Sequence, residues 1–112
     1  MFDVSSYIFT ELLNGGDLYS YLQIQNMEVP EADAQVIVYQ ILQGVEYLHR
    51  HGVVHRDLKL ENVLMTTFEA NGRVVITDFG QARHVPKRRS QQGRAPILRM
   101  NTRVGTSGYK AP

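Results

Sequence analysis

The stretch from Pro30 to Gly52 constrains the fold of this chain more than any other. Proline suits the first turn of a helix, where its missing N–H has no intrahelical bond to lose. Glu31 and Asp33 complement the positive end of the helix dipole. Val38, Ile41, Leu42, Val45, Leu48 and His49 recur at three- and four-residue steps, which predicts a helix to about Arg50 with one buried stripe. Gly52 lies just past its end, where a left-handed cap favours glycine. Two short apolar runs follow, 62–65 and 73–78, and Asn71-Gly72 between them is a hairpin turn signal. Upstream, "YIFTELL" (Tyr7 to Leu13) is rich in aromatic and β-branched residues and ends at Asn14-Gly15-Gly16, which predicts a strand and a break. "DLYSYLQIQ" then predicts a short helix with Leu18, Tyr21, Leu22 and Gln25 on one side.

Composition narrows the setting. The chain has 112 residues, 43% hydrophobic and 21% charged, which suits one ordinary soluble domain or a piece of one. Twelve basic residues against eleven acidic ones give a formal charge of +1, so nothing in the overall balance calls for nucleic acid or a membrane surface. The absence of cysteine excludes a disulfide framework and a cysteine-zinc site. It fits an intracellular address, cytoplasmic or nuclear. No apolar run approaches the roughly 20 residues of a membrane span, and the N-terminus lacks a signal-peptide pattern. The chain starts almost at once with the strand-like run and stops at Ala111-Pro112, so it reads as an excerpt.

From His84 to about Arg103 periodicity gives way to arginine, lysine, serine, glutamine and proline, the pattern of a mobile basic loop. "KRR" (87–89), with Arg94, Arg99 and Arg103, fits a nuclear-localisation patch, but a solvated loop is the commoner meaning. His49 and His51 face different ways at a helix end, which argues against a histidine metal site. Gly15-Gly16 is followed by no lysine-serine pair, so it is a turn rather than a phosphate loop.

"HRDLKLEN" (His55 to Asn62) places an acid, a base and an amide within a few residues. Asp57 can accept a hydroxyl proton, Lys59 can hold phosphoryl oxygens, and Asn62 offers a neutral oxygen to a hard cation. Alone, such a loop is often only a solvated turn. "TDFG" (Thr77 to Gly80) closes the second strand of the expected hairpin and so brings Asp78 to the end where Asn62 lies. A carboxylate and an amide there can share Mg²⁺ with nucleotide phosphates. Phe79 is expected as a buried anchor, and Gly80 permits unusual backbone angles.

Together these segments resemble the protein kinase family. "HRDLKLEN" is similar to the kinase catalytic loop, "DFG" to its metal-binding motif, and "GTSGYKAP" (105–112) to the start of the segment ending in Ala-Pro-Glu. "ELLNGGDL" resembles the hinge between the two lobes. The likeness covers residues 1–112 as a partial kinase domain, from the hinge to the start of the Ala-Pro-Glu segment. It implies an α+β, kinase-like fold: a mainly helical C-terminal lobe with the hinge strand, the N-terminal lobe and the late C-lobe helices being absent.

The resemblance implies a serine/threonine kinase using ATP and Mg²⁺ on a protein substrate. Asp57 would be the catalytic base, Lys59 would steady the transferred phosphoryl group, and Asn62 and Asp78 would hold Mg²⁺. Glu11 and Leu13 would offer backbone groups to adenine, Leu64 would pack beneath the ring, and Asp17 would reach a ribose hydroxyl. Thr10 would be the gatekeeper, and His55 and Phe79 would stack in an internal spine. Thr102 would be an activation site, phosphorylated by an upstream kinase or by autophosphorylation, with Arg56 and Arg83 to receive the phosphate. Lys59 and Thr106 are similar to serine/threonine rather than tyrosine kinases, and the hinge and helices most resemble the calcium/calmodulin-dependent and checkpoint group. Leu60 departs from a frequent proline, and Ser107 and Lys110 from residues often proline and apolar, which leaves preference beyond the phosphoacceptor open. The 112 residues contain no glycine-rich loop, no strand lysine in a Val-Ala-Ile-Lys context and no partnering helix glutamate. The alternative is a truncated, non-catalytic interaction or regulatory piece.

Overall fold

The computed structural model describes residues 5–86 and 108–109. The expected basic loop beyond Pro86, with Thr102, Thr106, Ser107 and Lys110, lies outside the described residues. The elements in order are α1 (Leu18–Ile24), α2 (Glu31–Arg50), β1 (Val53–Val54), a 3₁₀ turn (Leu60–Asn62), β2 (Val63–Met65), β3 (Val74–Ile76) and β4 (Arg83–His84).

Asp17 starts α1: its extended backbone and a side-chain oxygen accepting the Ser20 N–H at 2.8 Å form an N-cap. Leu18 and Tyr21 face inward as expected, whereas Gln25 is exposed. Pro30 stands one position before α2 rather than in its first turn, and its carbonyl accepts the Ala34 N–H at 3.0 Å. At the far end Gly52 has φ +69 and accepts the Val85 N–H at 2.6 Å. A Cβ there would lie 2.9 Å from the Val85 carbonyl oxygen, so both backbone angle and space require glycine.

The buried face of α2 differs from the expected stripe. Ile37 is the fully buried residue and Ile41 packs on the core beside it, whereas Val38, Leu42 and His49 are exposed. Val45 and Leu48 are half-buried. The cause is Gly44: a Cβ there would sit 3.0 Å from the Ile76 side chain, so the helix approaches β3 along the row that contains this glycine.

β2 and β3 form the expected hairpin, in register Val63↔Ile76, Leu64↔Val75 and Met65↔Val74. The connection is longer than a tight turn, and neither Asn71 nor Gly72 takes a positive φ. Gly72 is needed for space, because a side chain would collide with Thr67 Oγ1. On its other edge β2 meets the glycine pair: Gly15 N–H donates to the Met65 carbonyl at 2.9 Å, and Met65 N–H to that of Gly16 at 2.8 Å. A side chain on Gly15 would strike the Met65 carbonyl. Asp17 and Leu64 form a further antiparallel bridge. β1 and β4 pair separately, Val53↔His84 and Val54↔Arg83.

Residues 7–13 do not form the expected strand. Tyr7, Ile8, Phe9 and Leu12 are exposed, and no strand lies beside them among the described residues. Strand propensity expresses fit to a partnered pleated surface, and without a partner the ladder has nothing to bond.

Leu18 and Tyr21 from α1, Ile37 from α2, Val63 and Met65 from β2 and Val74 from β3 make the core. Phe68 lays its ring edge-on to Tyr21, with centroids 5.6 Å apart. The hairpin is thus held by both helices, and the 3₁₀ turn that leads into β2 inherits a fixed position. Among the described residues no helix is long and apolar enough to cross a membrane.

Candidate active site

The turn before β2 and the segment after β3 meet at one end of the hairpin. Because Val63 pairs with Ile76, Asn62 and Thr77 face each other next, and Thr77 N–H donates to the Asn62 carbonyl at 2.8 Å. Asn62 itself is buried. Its side-chain amide donates to the Asp57 carbonyl at 2.9 Å and to Asp57 Oδ2 at 3.3 Å. Lys59 Nζ lies 3.8 Å from the same oxygen. The structure therefore brings Asp57, Lys59 and Asn62 together and sets Asp78 one residue beyond the Asn62–Thr77 bond.

His55 ties the two segments a second time. It is only 2% exposed and its two ring nitrogens have different tasks. The Asp57 N–H donates to Nδ1 at 3.1 Å, so Nδ1 accepts and the proton belongs on Nε2. Nε2 then donates to the Thr77 carbonyl at 2.8 Å. One imidazole fixes the backbone of the acid at 57 and of the residue preceding Asp78.

Phe79 packs edge-on against His55 with centroids 5.1 Å apart, which agrees with the expected stacking. It is not a buried anchor, however, being 47% exposed. Asp78 is held at φ +60, a left-handed conformation that aspartate tolerates better than most residues, and its Oδ1 accepts the Gly80 N–H at 3.3 Å.

The chemistry of this donor set is specific. Asn62 spends its NH₂ on Asp57, which leaves its carbonyl oxygen as the neutral ligand, and Asp78 adds a charged oxygen. These are hard donors of the kind Mg²⁺ takes, and Mg²⁺ keeps several waters and phosphate oxygens rather than requiring a closed protein cage. Two protein ligands thus fit this ion. Asp57, held by an amide and a nearby ammonium, presents an acceptor-only carboxylate where a hydroxyl could be oriented.

The remaining expected site residues fall into two groups. Asp17 and Leu64 are brought together by their bridge, with half-buried Leu13 shortly before Asp17 in the chain. Asp17 already serves α1, since Ser20 donates both its N–H and its hydroxyl to the carboxylate, at 2.8 and 3.1 Å. Glu11 is exposed and accepts two bonds from Arg73, at 2.9 and 3.1 Å, a pairing that nothing in the local sequence signals. Arg56 sits at φ +69 and its Nε donates to the Gln81 carbonyl at 2.7 Å, while Arg83 is exposed on β4. Thr102, expected to carry the phosphate they would pair with, lies outside the described residues.

Comparison with known proteins places these features. The family described as protein kinase domain matches residues 3–112. The chain is 45% identical over 107 residues to the meiosis-specific serine/threonine-protein kinase mek1 of Schizosaccharomyces pombe, covering 95% of this chain and 22% of that protein. It is 44% identical over 108 residues to the meiosis-specific serine/threonine-protein kinase MEK1 of Saccharomyces cerevisiae, covering 95% of this chain and 20% of that protein. Its identity to the calcium/calmodulin-dependent protein kinase cmkB of Emericella nidulans is 40% over 106 residues, 95% of this chain and 24% of that one. The chain therefore spans about a fifth to a quarter of the length of the curated relatives it matches.

Proposed function

The chain belongs to the protein kinase family, and from that premise we propose that it carries the phosphoryl-transfer site of a serine/threonine protein kinase. In this reading the substrate hydroxyl oxygen forms a bond to the γ-phosphorus of ATP as the bond to the ADP oxygen breaks. Asp57 orients the hydroxyl and accepts its proton. Lys59, beside it, steadies the phosphoryl oxygens as charge redistributes. Asn62 and Asp78 are the residues that would hold Mg²⁺, which when bound neutralises negative charge on the nucleotide phosphates. On the nucleotide side, backbone groups of Glu11 and Leu13 receive adenine, Leu64 packs under the ring and Asp17 takes a ribose hydroxyl. The Asp17–Leu64 bridge supports that grouping.

The observation that carries the proposal is the double tie through Asn62. Its side chain holds Asp57 and its backbone holds Thr77, so the acid and the metal carboxylate are positioned by one buried residue. The purified full-length protein with Asp57→Asn or Asp78→Ala is expected to show transfer at background with the fold largely intact, Asp78→Ala melting a little lower because alanine tolerates φ +60 less well than aspartate. Near-normal turnover in Asp57→Asn contradicts the role given to that carboxylate.

Thr102 completes the proposal as the activation site. A phosphate there, carrying about −1.5 to −2 charge, would pair with Arg56 and Arg83. Mass spectrometry of the active protein is expected to find Thr102 modified, by an upstream kinase or by autophosphorylation, and Thr102→Ala to lose most activity. Full activity in Thr102→Ala with the residue unmodified in the parent would exclude the switch. An intracellular setting, cytoplasmic or nuclear, belongs to the same proposal.

A further inference from the structure

Among the described residues, little holds the segment 9–13. It forms no strand, and Phe9 and Leu12 are 94% and 84% exposed. Among the described residues, the chain that follows it joins the sheet at Gly15, Gly16 and the Asp17–Leu64 bridge. Before that point, the long-range side-chain bonds of this segment among the described residues are those from Arg73 NH2 to the two oxygens of Glu11, at 2.9 and 3.1 Å. Arg73 immediately precedes β3, and its own position is secured: its N–H donates to Thr66 Oγ1 at 3.0 Å, and its carbonyl accepts the Thr66 N–H at 2.9 Å. One partner is anchored in the hairpin, and the other lies in a segment with no other long-range side-chain bond among the described residues.

We propose that Arg73 is a positioning residue that holds the adenine-facing segment 9–13 against the hairpin through Glu11. The nucleotide consequence rests on the function proposed above; the mechanical part does not. The Glu11 side chain is tied 62 residues away in sequence, and its carbonyl takes part only in a long 3.4 Å bond from the neighbouring Thr10 hydroxyl, which a base could displace. The same hairpin carries Leu64 on β2, so the ion pair sets the spacing between the backbone that meets the edge of the base and the side chain beneath its face. Both side chains are more than half exposed, 58% and 60%, so the pair is modest in strength and sensitive to salt. Its effect is on positioning at low ionic strength and not on overall stability.

The test compares the full-length protein with Arg73→Ala, Glu11→Arg, Arg73→Glu and the swapped double variant Glu11→Arg/Arg73→Glu. Amide hydrogen exchange of residues 9–13 and the Kd for ATP–Mg²⁺ are measured at low and high salt. In Arg73→Ala, exchange across 9–13 is expected to quicken, and Kd to rise roughly two- to fivefold at low salt. The swapped variant should recover both, and the parent should approach Arg73→Ala at high salt. Exchange in Arg73→Ala equal to the parent, or no recovery in the swap, overturns the proposal. Faster exchange with an unchanged Kd overturns its nucleotide part. Absence of nucleotide binding in the parent instead refutes the function proposed above, and the exchange measurement still decides whether the pair holds the segment.

Discussion

Gln40 occupies the polar side of α2 that meets the hairpin and satisfies two backbone groups with one amide. Its Oε1 accepts the Val74 N–H at 3.0 Å and its Nε2 donates to the Gly72 carbonyl at 3.3 Å. Val74 is a core residue, so that N–H has little access to water. Gln40→Leu keeps the volume but leaves both groups unpaired, and is expected to cost about 1–3 kcal/mol in urea denaturation. A change below about 0.5 kcal/mol would mean that water replaces the amide without loss. The sequence offers no sign of this role, because both partners lie more than 30 positions away. The grouping of Asp57, Lys59 and Asn62 was legible for the opposite reason. They lie within one short loop, and the chemistry demands those residue types at that spacing. The tautomer of His55 was not legible, since it is set by the Asp57 N–H and the Thr77 carbonyl acting together.

The elements show where a pattern stops being informative. α2 carries two adjacent apolar rows, one through Ile37, Ile41 and Leu48 and one through Val38, Leu42 and Val45, and periodicity alone does not choose between them. The close approach of Gly44 to Ile76 chooses the first. Ile37→Ala is therefore expected to cost about 2–5 kcal/mol, as core truncations do, and Val38→Ala to stay within about 0.5 kcal/mol. Equal losses from thermal or chemical denaturation of the two variants would show that the helix is rotated toward Val38. The ends of α2 and the β2–β3 hairpin were readable from Pro30, Gly52 and Asn71-Gly72, and the short α1 from the spacing of Leu18, Tyr21 and Leu22, whereas its Asp17 cap was not read. The strand expected over 7–13 was read from residue type alone, and residue type says nothing about whether a neighbour is present to complete the ladder.

At the scale of the molecule, the balance of covered and uncovered apolar surface decides how a polypeptide of only these 112 residues should behave. Six hydrophobic residues are buried among the described residues, whereas fifteen large ones are exposed, including Tyr7, Ile8, Phe9, Val38 and Leu42. A core that small supplies little beyond the conformational entropy it must offset, and exposed apolar patches favour association. The proposed phosphate site is short of donors too. These residues include no glycine-rich loop, strand lysine or partnering helix glutamate. Losing one preorganised donor typically costs roughly 10²–10³ in rate, and losses at one site combine without simply adding. Residues 1–112 expressed alone are thus expected to self-associate as concentration rises, and to transfer no phosphate above background to a generic protein substrate. Sedimentation velocity across a concentration series and a radiometric transfer assay measure the two outcomes. A clean monomer with micromolar ATP–Mg²⁺ affinity and measurable turnover would show that the Asp57–Asn62–Asp78 end of the hairpin suffices for catalysis without those supports.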